Sequence, residues 1–136
     1  MKALLAIVAL ISIAVCVTAD LTDEQKQKII AYGKECVTQT GVDKELVHKA
    51  RQGSFTDDSK LKSFTFCISK KIGFQNDNGD AQADVIKQKL AAAINDADAA
   101  DKLIAKCLEK KDTPEETAYE TFKCYYENTP VHLSIF

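Results

Sequence analysis

Apolar positions recur along this chain at helical intervals, and helix breakers fall where one run hands over to the next. Thr22-Asp-Glu-Gln25 is a capping box, in which the Thr hydroxyl and the Gln side chain satisfy orphan amides at a helix start. From there Ile29, Tyr32 and Cys36 share one side, with Ile30 and Val37 beside them, which predicts a first helix to about Thr40, ended by Gly41. Asp43 to Ala50 reads as a short second helix carrying Leu46 and Val47, broken by Gly53-Ser54. A third helix, about Asp58 to Ile72, carries Leu61, Phe64, Phe66, Cys67, Ile68 and Ile72; this surface is wider than one stripe, so it should be the most buried element.

Gly73 and the run Asn76-Asp77-Asn78-Gly79-Asp80 predict a turn. The run invites a calcium reading, but with Gly79 as the sixth loop position Phe74 would be the first ligand, and a phenyl ring offers no oxygen. A fourth helix, about Ala81 to Ile94, places Ile86, Leu90 and Ile94 at fourfold spacing. A fifth, Ala97 to Lys111, aligns Ala99, Ala100, Leu103, Ile104, Cys107 and Leu108, with Lys106, Lys110 and Lys111 at the end where the helix dipole favours cations. Thr113-Pro-Glu-Glu116 is a second capping box with Pro114 at the first helical position, opening a sixth helix to about Glu127. Pro130 then introduces a tail, Val131 to Phe136.

The first nineteen residues follow different rules. Lys2 is a basic start, Ala3 to Val15 is apolar, and Val17-Thr18-Ala19 is a small-residue cleavage site, so residues 1–19 read as a signal peptide and 20–136 as one domain. Cleavage removes Cys16 and leaves Cys36, Cys67, Cys107 and Cys124, an even set that an oxidising compartment would join as two disulfides. Arithmetic alone does not choose among the three possible pairings. Few Gly and Pro residues, with abundant Ala, Lys, Gln and Glu, argue for an all-α fold and against a β-sandwich. The full chain carries a formal charge of −2, and losing Lys2 makes it slightly more acidic; nucleic acid and anionic membrane are therefore poor partners.

Catalytic chemistry has little to work with. The histidines are His48, in the short charged helix, and His132, in the tail, and neither stands in a metal-binding spacing or beside a nucleophile motif. The sequence therefore predicts no enzyme, no metal and no cofactor. Apolar residues on three helices remain, namely Ile86, Leu90, Ile94, Leu103, Ile104 and Phe122, with Tyr126 beside them. By periodicity alone they form an ordinary solid core.

The intervals between the four cysteines are thirty, thirty-nine and sixteen residues, set among Leu61-Lys-Ser-Phe-Thr-Phe-Cys67, Ile72-Gly73 with its Asn/Asp/Gly turn, and Glu116-Thr-Ala-Tyr-Glu-Thr-Phe-Lys-Cys124-Tyr-Tyr. In these features the chain, from Thr22 to about Thr129, resembles the insect odorant-binding proteins of the pheromone and general odorant-binding superfamily, in particular the minus-C subgroup. The full family has six cysteines, with three residues between the second and third and eight between the fifth and sixth. Counting back from Cys67 and Cys124 puts the two absent ones at Ser63 and Glu115, which are the partners of a single family bridge. The resemblance implies Cys36–Cys67 and Cys107–Cys124 for the remaining two.

It also implies a compact bundle of about six helices around an internal hydrophobic cavity, and a secreted carrier of small odorant-like or pheromone-like molecules. Ile86, Leu90, Ile94, Leu103, Ile104 and Phe122 then become cavity wall. The phenols of Tyr119 and Tyr126 become the polar contacts, each one donor on an apolar ring. The tail resembles the segment that covers the cavity in many relatives, with Val131, Leu133 and Ile135 on one side of an extended stretch, Phe136 at its end, and His132 as a group whose charge changes near physiological pH. The implied setting is sensillar lymph or another extracellular fluid, as a monomer or weak homodimer, with a membrane odorant receptor downstream. Two other classes fit the same composition: a secreted helical signalling or interaction protein with a solid core, and a carrier of nonvolatile lipids.

Loop-closure entropy assigns roughly 3.7 kcal/mol to a bridge spanning 31 residues and about 3.1 kcal/mol to one spanning 17, so a missing third bridge forgoes a similar amount. Its absence should leave the third and sixth helices freer to separate. A Ser63→Cys/Glu115→Cys double variant, once oxidised, is expected to melt higher and exchange ligand more slowly; unchanged values for both contradict this reading.

Overall fold

A computed structural model of the chain describes residues 22–129. The proposed signal segment and the tail lie outside the described residues. Six helices follow one another: α1 Asp23–Thr40, α2 Lys44–Arg51, α3 Ser59–Ile72, α4 Ala83–Ile94, α5 Ala97–Cys107 and α6 Pro114–Asn128. Among the described residues the only extended pairing is an isolated bridge between Gln75 and Ala81.

The first capping box and the Asp43 and Asp58 starts are built as the sequence predicts, whereas the second capping box is closed on one side only and α4 begins at Ala83, two residues later than expected. Thr22 Oγ1 accepts from Gln25 N while Thr22 N donates to Gln25 Oε1, so the first capping box is closed on both sides. Asp43, Asp58 and Asp96 each accept a backbone N–H at the heads of α2, α3 and α5. At α6 Thr113 Oγ1 accepts from Glu116 N, but the Glu116 carboxylate is turned outward, 3.6 Å from Lys62 Nζ on α3. Glu116 therefore joins helix to helix. Gly41 and Gly73 end α1 and α3 in the left-handed conformation.

Helix α5 is shorter than its apolar pattern, stopping at Cys107 and not at Lys111. Leu108 has left helical geometry, with φ −84° and ψ 86°, while Lys111 N donates to Thr117 Oγ1 on α6. Chain that would have continued α5 is drawn across to α6 beside the Cys107–Cys124 bridge. Of the three lysines read as dipole partners, only Lys106 remains in the last turn.

Two packing units result. Helix α3 packs on α1 and α6, and α4 packs chiefly on α5, which in turn reaches α6. Both disulfides follow the implied pairing: Cys36–Cys67 ties α1 to α3, and Cys107–Cys124 ties α5 to α6. As its composition predicts, α3 is heavily buried, with Leu61, Phe64, Thr65, Phe66, Cys67, Ile68 and Ser69 all inside. Each large apolar side chain buried there contributes about 1.5–3 kcal/mol relative to exposure.

The polar turn joins these units. Asn76 Oδ1 accepts from the backbone N–H groups of Asn78 and Asp80, closing the loop on itself. Gly79, at φ 85°, lies so close to the first residue of α6 that an added Cβ would come within 2.5 Å of the Pro114 ring. Gly41 is left-handed as well, but its nearest neighbour would be the mobile end of Lys60 at 4.0 Å.

Gly79→Ala combines left-handed strain with a clash and is expected to lower unfolding free energy by about 2–4 kcal/mol; Gly41→Ala carries the strain alone and is expected to cost about 1–2 kcal/mol. Urea denaturation of the two variants checks the difference, and equal losses contradict the docking of this turn on α6.

Candidate functional site

The seam between the α4–α5 hairpin and the α3/α6 pair contains a hollow. Ser69 of α3, Phe74, Gln75 and Ala81 of the turn, Ile86 of α4, Leu108 after α5, and Thr117, Ala118, Thr121 and Phe122 of α6 line it. Its volume is about 10 Å³, room for roughly one water molecule. Among the described residues this hollow is therefore a small, partly open remnant of the expected cavity. Binding sites for small organic molecules run from about 300 Å³ upward, so uptake of such a ligand requires the seam to part.

The covalent and packing arrangement identifies what would part. Hairpin and α6 share one disulfide and a hydrogen bond from Lys106 Nζ to Asn128 Oδ1 at 2.6 Å, and apolar side chains meet beside them. Ile86 and Leu90, both 1 % exposed, anchor α4 in the core, and Phe74 meets Phe122 edge to face with centroids 6.3 Å apart. Such contacts are dispersive and nondirectional, and an apolar ligand can replace them.

Of the residues singled out from the sequence, Ile86 and Phe122 line the hollow. Leu90 and Leu103 are buried in the same core, with Ile94 and Ile104 partly buried against it, but these four stand outside the lining. Val131, Leu133, Phe136 and His132 lie outside the described residues. Phe74, Gln75, Leu108 and Thr121 were not singled out. Phe74 and Gln75 belong to a turn without periodicity, and Leu108 was read as a helical residue.

The two tyrosines expected to provide polar contacts are placed elsewhere. Tyr119 OH donates to Phe55 O at 2.9 Å, and its ring meets Phe55 at 5.8 Å between centroids. Tyr126 also packs on Phe55, at 6.1 Å, and its ring covers Gly53. Both therefore secure the segment between α2 and α3, and neither lines the hollow. Lys62 braces the same corner, 2.8 Å from Asp57 and 5.4 Å from the centre of the Tyr119 ring. Its hydrogen bond holds the Asp57 carboxyl below the usual carboxylate value.

Buried polar atoms distinguish the interior from a plain hydrocarbon core. Gln75 Oε1, Thr121 Oγ1 and Tyr125 OH have no hydrogen-bond partner among the described residues. Tyr125 is fully buried, and burial pushes its phenol well above the ordinary value. Burial also raises Tyr119, helped by the carboxylates of Glu120 and Asp57 and opposed by Lys62. Among the described residues no group of three or more His, Cys, Asp or Glu side chains is placed to hold a metal, and no helix is long and apolar enough to cross a membrane.

Comparison with known proteins agrees with this architecture. Residues 18–128 match the family model described as the PBP/GOBP family. The B2 protein of Tenebrio molitor is 37% identical over 110 residues, covering 81% of this chain and 86% of that protein. Among solved structures, the THP12 carrier protein from yellow meal worm has a TM-score of 0.59 at 39% identity, over 69% of this chain and 87% of its own. The fatty acid binding protein OBP56a from the oral disk of the blowfly Phormia regina has a TM-score of 0.64 at 29% identity, over 79% and 94%.

The tyrosines give opposed expectations. Tyr119→Phe leaves the Phe55 carbonyl without its donor and is expected to cost about 1 kcal/mol, whereas Tyr125→Phe removes an unpaired hydroxyl and is expected to be neutral or stabilising. A phenol whose pKa is raised on folding holds its proton more tightly in the native state. Its contribution is intact below about pH 10 and falls as pH rises further, so Tyr125→Phe should also flatten the alkaline decline in melting temperature. A loss above about 1 kcal/mol for Tyr125→Phe contradicts the unpaired assignment.

Proposed function

The chain belongs to the PBP/GOBP family, within the insect odorant-binding protein superfamily, and from that membership we propose that it carries small hydrophobic molecules through extracellular fluid. The observation that carries this reading is the match of residues 18–128 to the PBP/GOBP family; the hollow, where a hairpin held by one disulfide meets the α3/α6 pair, marks where the ligand would enter. Ligand carbon replaces protein carbon in the seam: as the hairpin swings out, Ile86 and Leu108 part from Phe122, and the ligand takes up the apolar surface they release. Leu90, Ile94, Leu103 and Ile104 extend the wall once the seam has opened. The protein performs no reaction, and recognition is mainly by size and apolarity.

Residues 1–19 act as the export signal in this reading, which the start of the family match at residue 18 supports. The carrier acts as a monomer or weak homodimer and delivers to a membrane receptor. A relative named as an odorant-binding protein and a structural neighbour named as a fatty acid binding protein support odorants and fatty-chain compounds as the ligand class. A secreted interaction protein with a solid core is the second reading, and the small volume of the hollow favours it.

A ligand of about fifteen carbons burying ~350 Å² gains at most ~9 kcal/mol before association and ordering costs, which sets Kd near micromolar. Displacement of a naphthylamine fluorophore from the mature protein by volatile organic compounds and long-chain lipids is therefore expected in the micromolar range. A fluorophore that gains no emission with the protein, together with no ligand carried through native mass spectrometry, contradicts the carrier and leaves the solid-core reading.

A further inference from the structure

The chain has four asparagines, Asn76, Asn78, Asn95 and Asn128, and only Asn78 precedes a glycine. An asparagine carboxamide is open to attack by the backbone nitrogen of the next residue; a side chain on that residue hinders the approach, and glycine has none. The structure separates the four further. Asn76 Oδ1 accepts from Asn78 N and Asp80 N, and its Nδ2 donates to Asp80 Oδ2 at 3.3 Å. Asn128 Oδ1 accepts from Lys106 Nζ, and its Nδ2 donates to Cys124 O at 2.8 Å. Asn95 is followed by Asp96, whose carboxylate caps α5 by accepting from Ala99 N, so the nitrogen that would attack is held at a helix start. Asn78 is exposed, and its side-chain amide has no hydrogen-bond partner among the described residues.

The neighbour that would attack is the best-secured residue of the turn. Gly79 is buried, its N–H donates to Asn76 O at 2.9 Å, and its carbonyl accepts from Gln75 Nε2 at 3.0 Å. Asn76 N donates to Asp80 O at 3.0 Å across the base of the loop, and Pro114 leaves no room for even a Cβ at Gly79. Gly79 N therefore cannot turn toward the Asn78 carboxamide until the loop leaves α6. Local openings of this kind cost less free energy than global unfolding and recur throughout the life of a folded protein.

We propose that Asn78 is a site of spontaneous covalent modification, converted to aspartate and isoaspartate when the turn lifts from α6, and that the isoaspartyl form cannot dock again. In the open turn Gly79 N bonds to Asn78 Cγ, the Cγ–Nδ2 bond breaks, and ammonia leaves with the proton that Gly79 N gives up. Water then opens the cyclic imide. Attack at Cγ breaks its bond to Gly79 N and yields aspartate; attack at the main-chain carbonyl breaks the other C–N bond and leaves Gly79 joined through Cγ, an isoaspartate with an additional carbon in the backbone. Either product sets a carboxylate between Asp77 and Asp80, where like charges repel. The isoaspartate also lengthens a loop pinned at its base by Asn76 and Asp80 and at its tip by Pro114. This inference does not depend on the carrier reading, although Phe74, Gln75 and Ala81 beside the same loop line the hollow.

The test ages the mature protein, both disulfides formed, in mildly alkaline buffer and in parallel in concentrated urea. Peptide mapping by mass spectrometry follows the amide-to-acid change at each asparagine, and an isoaspartyl methyltransferase marks the isoaspartate. Asn78 is expected to convert ahead of Asn76, Asn95 and Asn128, about tenfold or more slowly in native buffer than in urea. Gln75→Met removes the amide's bonds to Gly79 O and Pro114 O, and is expected to speed conversion in native buffer about three- to tenfold while leaving the rate in urea unchanged. A second readout needs no change in the interior: the isoaspartyl fraction, separated chromatographically, is expected to melt below both the unaged protein and Asn78→Asp, which adds the charge without the additional carbon. Earlier conversion at another asparagine, equal rates in native buffer and urea, an unchanged native rate in folded Gln75→Met, or an isoaspartyl fraction that melts as the unaged protein does overturns the proposal.

Discussion

Helix α6 is packed on two sides and stapled on one. Its buried face, formed by Thr117, Ala118, Tyr119, Thr121, Phe122 and Tyr125, meets α3, the polar turn and the region after α5. Cys124 on another side fixes it to Cys107. The contact with α3 has no disulfide and depends on packing and the Lys62–Glu116 ion pair, which connects the neighbours of Ser63 and Glu115. A partly exposed ion pair adds little stability compared with a covalent bridge. The domain is therefore held by one covalent tie on each outer flank, α1 to α3 and α5 to α6, with apolar contact between them.

This arrangement accounts for so small a hollow among the described residues of a carrier. A large permanent void would sacrifice dispersion contacts throughout the core, while a seam that shuts on itself keeps them until a ligand supplies replacements. Two polar ties would have to break or follow as the hairpin moves: Lys106 Nζ donates to Asn128 Oδ1 of α6 at 2.6 Å, and Lys111 N, just past α5, donates to Thr117 Oγ1. Gln75 Oε1 and Thr121 Oγ1, buried nearby, have no hydrogen-bond partner among the described residues.

Much of the fold was legible in the sequence because its signals are local. Thr22, Asp43, Asp58 and Thr113 mark helix starts, Gly41 and Gly73 mark ends, and the fourfold spacing of Ile86 and Leu90 identifies the inward side of α4. Helix α5 was misjudged at its end because Leu108 continues the apolar period while tertiary contacts to α6 bend the chain away. The candidate site was legible only in part. Ile86 and Phe122 sit on periodic faces, whereas Gln75 reaches the interior through a loop whose path depends on Gly79 meeting Pro114. Tyr119 and Tyr126 share a helical side with Phe122 by residue count, but an aromatic partner at Phe55, supplied by an irregular segment, draws them elsewhere.

The most direct measurement is a high-resolution structure of the mature protein saturated with a long-chain apolar ligand. The account predicts the ligand between the α4–α5 hairpin and the α3/α6 pair, the hollow grown from about 10 Å³ to roughly 300 Å³, and Ile86 and Leu108 moved apart from Phe122. A ligand bound on the outer surface, with the hollow between hairpin and α3/α6 pair no larger than it is here, would contradict it.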